Sequence, residues 1–226
     1  MKKSIIGGSD RDRIGAAVRA AETRSDGEIV TVIAPVSDAY HDVGLHYAIA
    51  AMLVLLALVA AFPLTFAGWA TAALGGWDHA LSTGEQLSLL LGGQILVFLA
   101  VRYGLAWMPL RVRLTPGATK SRRVRRQAIT LFRASAEGRT LARTAILIYL
   151  SLAEHRAEIV ADAAISSRVP PERWGEAMAA LVSAARDGRI GDGMVEAVGL
   201  VGAILAEQLP KAQDNPNELP DRLIEL

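Results

Sequence analysis

The chain has 226 residues, 52% of them hydrophobic, and a mean hydropathy of +0.30; that is apolar for a soluble protein, and the excess lies in one region. A net charge of +1 gives no global attraction to nucleic acid or to acidic substrates. The chain has no cysteine, which excludes disulfides, thiolate catalysis and cysteine-ligated metal.

The first residues, MKKSIIGGSDRDR, carry Lys2 and Lys3 but no apolar core, because Gly7, Gly8 and Asp10 interrupt it. They are not expected to be a secretory signal, and the segment that follows is expected to stay in the cytoplasm. Residues 10–25 place Ile14, Ala17, Val18 and Ala21 at i, i+3, i+4 and i+7, the spacing of an amphipathic helix. Asp26-Gly27 stops it and turns the chain. Residues 28–34, EIVTVIA, then read as a strand buried on both faces, as in a parallel or mixed sheet. A lone strand is not stable in water, so it needs partners further along the chain.

No Asp, Glu, Lys or Arg occurs from Val43 to Trp77. A helix of about 20 residues spans a bilayer core, and residues 45–66 and 87–107 are the two candidate spans. Lys and Arg lie before the first span, at Arg11, Arg13, Arg19 and Arg24, and after the second, from Arg111 onwards. The connector, about residues 68–85, holds Asp78, His79 and Glu85 and no Lys or Arg. The excess of positive charge on the flanks predicts both termini in the cytoplasm and the connector outside. Arg102 falls near the inner end of the second span, where it can snorkel to the headgroups. Trp69, Trp77, Tyr103 and Trp107 lie where interfacial aromatic belts occur. Ser88 and Gln94 are the polar side chains noted inside the spans, so a transporter is not expected.

After the hairpin, residues 121–139 read as a helix with Val124, Ala128, Leu131 and Phe132 as its apolar stripe and Gly138 as its C-terminal cap. Residues 144–162 read as two strands about a tight turn near 153–155. Pro170-Pro171 opens a helix with Trp174, Met178, Leu181, Val182 and Ala185 inward, and DGRIGDG (187–193) breaks it at Gly188. A last helix, about 192–208, uses Val195, Val198, Gly202 and Leu205. Residues 211–226 read as an extended C-terminal tail. The order α-β-(hairpin)-α-β-β-α-α makes one discontinuous α/β domain from residues 1–42 and 110–226, with residues 43–109 as a transmembrane hairpin. The strand at 28–34 is then expected to pair in parallel with 145–151, across a long crossover.

Three stretches carry a family resemblance: AAVRAAETRSDGEIVTVIA, AILIYLSLAEHRAEIVADAAIS and ARDGRIGDGMVEAVGLVGAIL. They resemble the TPM domain family over about two-thirds of the chain, everything but the hairpin and the tail. The resemblance implies a Rossmann-like α/β sandwich with a mixed sheet, here interrupted by the two-helix transmembrane hairpin. It implies membrane association, divalent-cation binding or phosphatase activity in some members, and accessory roles for membrane complexes in others. The sequence departs from the family pattern at VADAAIS, which lacks the glycines of the family's glycine-rich loop, and in carrying its spans inside the domain.

Asp162 ends a strand and opens a loop, a usual position for site residues in α/β sheets. With Asp26, Asp38 or Asp192 it could hold Ca2+ or Mg2+ through carboxylate oxygens. Turn residues and helix caps are the competing reading of all four, and Asp192 in IGDG reads foremost as the N-cap of the last helix. The histidines, His41, His46, His79 and His155, have no metal spacing, and Ser166-Ser167 has no adjacent base. There is no P-loop, GxSxG or HExxH. The strongest local charge is Lys120, Arg122, Arg123, Arg125 and Arg126, a positive-inside determinant that can also meet anionic lipid. This stretch has no aromatic residue to stack bases, so nucleic acid is not an expected partner. The sequence thus points to a multi-pass protein of a bacterial inner membrane. Its cytoplasmic domain is expected to be a non-enzymatic accessory or interaction module for a membrane complex or anionic lipid; the alternative is a divalent-cation-dependent phosphatase.

Overall fold

The computed structural model describes residues 5–75, 81–135, 144–212 and 219–226. Lys2, Lys3, Trp77, Asp78, His79 and Gly138 therefore lie outside the described residues. The chain divides into two compact units: Met1–Asp38 with Pro116–Leu226, and Ala39–Thr115.

In the first unit, α1 (Gly8–Glu22) leads into β1 (Glu28–Ala34). After the second unit come α6 (Gly117–Ser135), β2 (Ala145–Ser151), β3 (Arg156–Ala161) and the short α7 (Ala163–Ser166). A 3-10 turn, Pro171–Trp174, opens α8 (Gly175–Arg186), and α9 (Ile190–Gln208) and β4 (Ile224–Glu225) complete the unit. The sheet is mixed, in the order β3-β2-β1-β4. β1 pairs in parallel with β2, Glu28 opposite Ala145 and Ala34 opposite Ser151, which is the pairing expected across the excursion. β3 returns antiparallel on β2.

The near-continuous apolar run of β1, broken only by Thr31, follows from cover on both faces. Ile29 and Ile33, with Ile146, Ile148 and Leu150 of β2, pack against Ile14 and Val18 of α1, Leu181 of α8 and Val198 of α9. Val30, Val32, Leu147 and Tyr149 face Val124, Ala128 and Phe132 of α6. Alternate residues of each strand thus serve two cores, and neither face needs a polar side chain for water.

Four expectations change in detail. The break expected over residues 187–193 is confined to the expected stop at Gly188, because Gly191 as well as Gly193 lies within α9. A Cβ on Gly193 would stand 2.6 Å from Ala184 Cβ, so these glycines let helices approach rather than turn. Only Gly188 turns the chain, at φ +77°, and its N–H donates to the Ala185 carbonyl in a C-terminal cap. Because α9 starts at Ile190, Asp192 lies in its first turn and Arg189 is the N-cap. The end of the extended tail packs on the sheet: β4 adds in parallel beside β1, Val32 opposite Ile224, and Leu219 and Leu223 are buried. Glu225 anchors this end by accepting from the Ile5 N–H (2.8 Å) and Arg11 Nε (2.7 Å). Two apolar residues in a short polar run were too weak a period to read as a strand. Finally, α6 starts at Gly117, directly after Pro116, whose ring suits a helix start.

The α1–α9 crossing supplies a stability test. A Cβ on Gly202 would lie 2.6 Å from Ala21 Cβ. Gly202→Ala is expected to cost about 1–3 kcal/mol in urea unfolding, as overpacking does. Ala21→Gly placed in the same chain should recover part of that loss, and simple additivity of the two would refute close packing as the cause.

The second unit holds α2 (His41–Ala61), α3 (Pro63–Ala70), a π-helical turn at Thr71–Gly75, α4 (Thr83–Gly104) and α5 (Met108–Leu114). α2 and α4 are long and apolar enough to cross a membrane, with mean hydropathies of 2.3 and 1.6 over their most apolar windows. The first expected span does not run unbroken to residue 66. Pro63 lacks an N–H and disfavours helix at Phe62, so α2 ends at Ala61 and α3 restarts at the proline. Its 21 residues still reach about 31 Å. α4 begins earlier than expected because Ser82 and Glu85 form a capping box, Ser82 N–H to Glu85 Oε2 at 2.8 Å and Glu85 N–H to Ser82 Oγ at 3.3 Å. Gln94 Nε2 donates to the Met52 carbonyl (3.1 Å) and ties α4 to α2, while Ser88 Oγ donates back to Gly84.

Candidate functional site

The four aspartates considered as cation ligands occupy different parts of the first unit. Asp162 ends β3, but β3 is antiparallel, so this end lies beside the start of β2. The Asp162 carboxylate accepts from the Ala145 N–H (3.2 Å), and its own N–H donates to the Ala145 carbonyl (2.9 Å). Its carbonyl accepts from Ile165 and Ser166 and so starts α7. Asp26 stands at the same end of the sheet. Its carbonyl accepts from Thr144 Oγ1 (2.8 Å) and its Oδ1 from the Ala212 N–H (2.9 Å). Asp38 follows β1 at the opposite end and pairs with Arg123 of α6 at 3.2 Å. A seven-residue strand, about 23 Å, separates it from Asp26. Asp192 pairs with Arg13 of α1 at 2.7 Å. Ligand oxygens must lie within about 2.6 Å of a calcium ion, so the four cannot share one. Among the described residues, no three His, Asp or Glu side chains form a group that could hold a metal ion.

The carboxyl ends of β1 and β2, where α/β sheets usually bind ligands, hold a different polar group. The parallel pairing is prolonged by the Leu152 N–H to the Ala34 carbonyl (3.0 Å) and the Ala153 N–H to the Pro35 carbonyl (2.9 Å). Buried Glu154 accepts from the Ser37 N–H (2.9 Å) and from Ser151 Oγ. The Ser37 hydroxyl bonds to the phenol of fully buried Tyr149 at 2.9 Å. Burial pushes the Tyr149 phenol up, with the hydroxyls of Ser37 and Ser151 opposing. Ser151 has the carboxylate partner an activated nucleophile needs, but it is fully buried and offers a substrate no approach. The group instead ties the segment leaving β1 to the turn leaving β2.

A second group escaped sequence reading. Glu22 follows Ile14 and Val18 at helical spacing, so its carboxyl is carried inward on the apolar face of α1. One oxygen accepts from the Ile29 N–H at 2.8 Å; the other is buried without a hydrogen-bond partner. Burial pushes this carboxyl up to about 8; the Ile29 N–H opposes, while Glu28 and Asp221 add to the rise. Glu28 is itself buried and accepts from the Leu219 N–H (3.2 Å). The signal available in the sequence was a charged residue at the next position of an apolar stripe.

Arg122, Arg125 and Arg126 lie on the side of α6 away from the stripe Val124, Ala128 and Phe132, while Lys120 stands one turn before Val124 on the same face. Arg122, Arg125 and Arg126 are exposed, and Lys120 and Arg123 are half-buried. Arg123 is engaged by Asp38, and Arg125 lies 3.8 Å from Glu158 on β3.

In the second unit, Arg111 is buried at 5% exposure, and its guanidinium gathers three acceptors. Nη1 donates to the Ala39 carbonyl (2.7 Å) and to His41 Nδ1 (2.8 Å), and Nη2 to the Ala106 carbonyl (2.8 Å). In the sequence Arg111 looked like one more positive charge after a span; its neighbours become visible only when the two ends of the hairpin meet.

Residues 110–204 match the TPM domain. The match begins after the apolar helices and covers α6, β2, β3, α8 and most of α9, the part of the TPM-like unit that follows the hairpin. No curated protein matches the chain. Among solved structures, the NMR structure of BA42 protein from the psychrophilic bacterium Bizionia argentinensis is similar, with a TM-score of 0.57 at 15% identity. The alignment covers 100% of this chain and 99% of that one. At that identity the likeness concerns the fold.

Proposed function

We propose that the chain is an integral protein of a bacterial inner membrane, with α2 and α4 crossing it as a hairpin. Both termini are cytoplasmic, and the TPM-like unit serves as a non-enzymatic accessory module that engages anionic lipid of the same membrane through α6. The observation that carries this reading is the surface of α4. None of its most apolar window is buried, and Leu87, Leu91 and Leu96 are 60%, 62% and 69% exposed. Exposing apolar area to water costs about 25 cal/mol per Å², and a soluble helix offsets this with a polar face that α4 lacks. Trp69, Tyr103 and Trp107 are also largely exposed, as interfacial aromatic residues are. Arg111, Arg113 and the arginines of α6 follow the second span closely, and each basic residue near an anionic surface is worth about 1 kcal/mol.

The test uses the full chain in nanodiscs, of phosphatidylcholine alone or with phosphatidylglycerol. Hydrogen exchange of residues 117–135 is expected to slow in the anionic discs. Arg122→Glu, Arg125→Glu and Arg126→Glu together should abolish the difference. Equal exchange in both lipids would remove the lipid role. The same discs are given a phosphomonoester with magnesium, manganese or calcium, beside Asp162→Ala. Metal-dependent turnover lost in that variant would replace this reading with the phosphatase.

A further inference from the structure

The edge of the sheet formed by β3 is a surface beside the basic helix, which borders it with Arg125, and the lipid contact of α6 leaves its backbone groups without a role. Among the described residues no strand lies on its outer side, since the order is β3-β2-β1-β4. The hydrogen bond from the Asp162 N–H to the Ala145 carbonyl fixes the alternation of the antiparallel pair. Glu158 and Val160, two and four residues earlier, direct their backbone groups at β2. Ala157 and Ile159 direct theirs outward. A groove of about 580 Å³ opens along this edge, with α8 on one side and Arg125 of α6 on the other.

The two walls differ in chemistry. Ala157 and Ile159 turn their side chains to the core beneath α8, and Met178 and Val182 of α8 line the groove half-buried. On the α6 side stand Arg156 and Arg125, and Arg186 closes the end of α8. Glu158 is the carboxylate in the groove lining, and Arg125 and Arg156 are the cations that act on it. Arg156 Nε has no acceptor, so an internal carboxylate does not engage that guanidinium fully. An extended chain added here would alternate its side chains between an apolar wall and a basic one.

We propose that the β3 edge is a docking site for an extended acidic segment of a partner protein, added as a fifth strand with its carboxylates toward Arg125 and Arg156 and its apolar residues toward Met178 and Val182. Strand addition of this kind draws affinity from the main chain and selectivity from alternate side chains. The basic lining selects against a second copy of the same edge, since Arg156 and Arg125 would then meet their own kind.

The experiment titrates the full chain in detergent micelles with the peptide acetyl-Glu-Val-Glu-Val-Glu-amide, beside its Lys-for-Glu counterpart. The glutamate peptide is expected to bind, and the Ala157 and Ile159 amides to exchange at least tenfold more slowly in its presence. The lysine peptide should do neither. Arg125→Glu with Arg186→Glu, both at exposed positions, should weaken binding at least tenfold. Ala157→Pro, which removes an outward N–H and leaves the bonds to β2 in place, should abolish it while thermal unfolding stays cooperative. Four results would overturn the proposal: no binding up to about 1 mM, equal binding of both peptides, binding without slowed exchange at Ala157 and Ile159, or concentration-dependent slowing of those amides without peptide, which would mark the edge as a self-association surface.

Discussion

The TPM-like unit is expected to lose stability as the pH rises from about 5 to about 8, by on the order of 3–5 kcal/mol, and Glu22→Gln is expected to remove that slope. In the folded chain the Glu22 carboxyl is raised to about 8 from an ordinary value of 4.5, by burial first and then by Glu28 and Asp221. Between those values the folded state holds a proton that the unfolded state has released. Unfolding stability therefore falls with pH across that window; the contribution is fully present below about 4.5 and lost above about 8. Glutamine has the shape of the protonated acid. Its carbonyl can accept from the Ile29 N–H, and its amide can donate toward Asp221. Urea unfolding of parent and variant at pH 5, 7 and 9 checks this. The variant should match the parent at pH 5 and exceed it at pH 9, and parallel curves would show that Glu22 does not hold the proton. Because Leu219 is anchored on Glu28, the residues from 219 onward should gain hydrogen exchange first as the parent loses that proton.

Arg111→Met is expected to cost the second unit about 3 kcal/mol or more. The substitution keeps the length of the side chain but removes the donors for the Ala39 carbonyl, the Ala106 carbonyl and His41 Nδ1. A hydrogen bond from a charged donor contributes about 1.5–3 kcal/mol, and less than that where its acceptor is part-exposed, as these three are. Arg111→Lys keeps the charge but cannot span all three with a planar fork, and should lose roughly half as much. Hydrogen exchange of residues 39–48 and 104–112 in nanodiscs separates the clamp from a mere topology charge. A topology charge would let lysine behave like the parent, with exchange unchanged.

Much of the fold could be read from the sequence because its signals are local. The stripe Ile14, Val18, Ala21 marks α1, and the near-continuous apolar runs of β1 and β2 mark a sheet covered on both faces. The turn before Arg156 marks the β3 return, and two long charge-free stretches mark α2 and α4. Proline and capping chemistry were read less well: Pro63 ends α2 before the apolar run ends, and the Ser82–Glu85 box starts α4 earlier. The candidate site was legible only as a list of aspartates. A carboxylate after a strand is the same letter whether it binds a cation, starts a helix or accepts a backbone N–H. Asp162 and Asp26 accept such bonds at one end of the sheet, and Asp38 and Asp192 pair with arginines elsewhere.

What the sequence determined by itself is therefore the set of elements, the apolar faces that must be covered, the length of the two apolar helices and the side of the chain that carries positive charge. These depend on periodicity and composition, which act within a few turns. Only the tertiary structure decided that Gly193 and Gly202 admit a neighbouring helix, that the last residues form a strand beside β1, and that Glu22 and Arg111 sit buried. Those outcomes depend on contacts between residues far apart in the chain, where the free energy of a polar group is set by its neighbours rather than by its own identity.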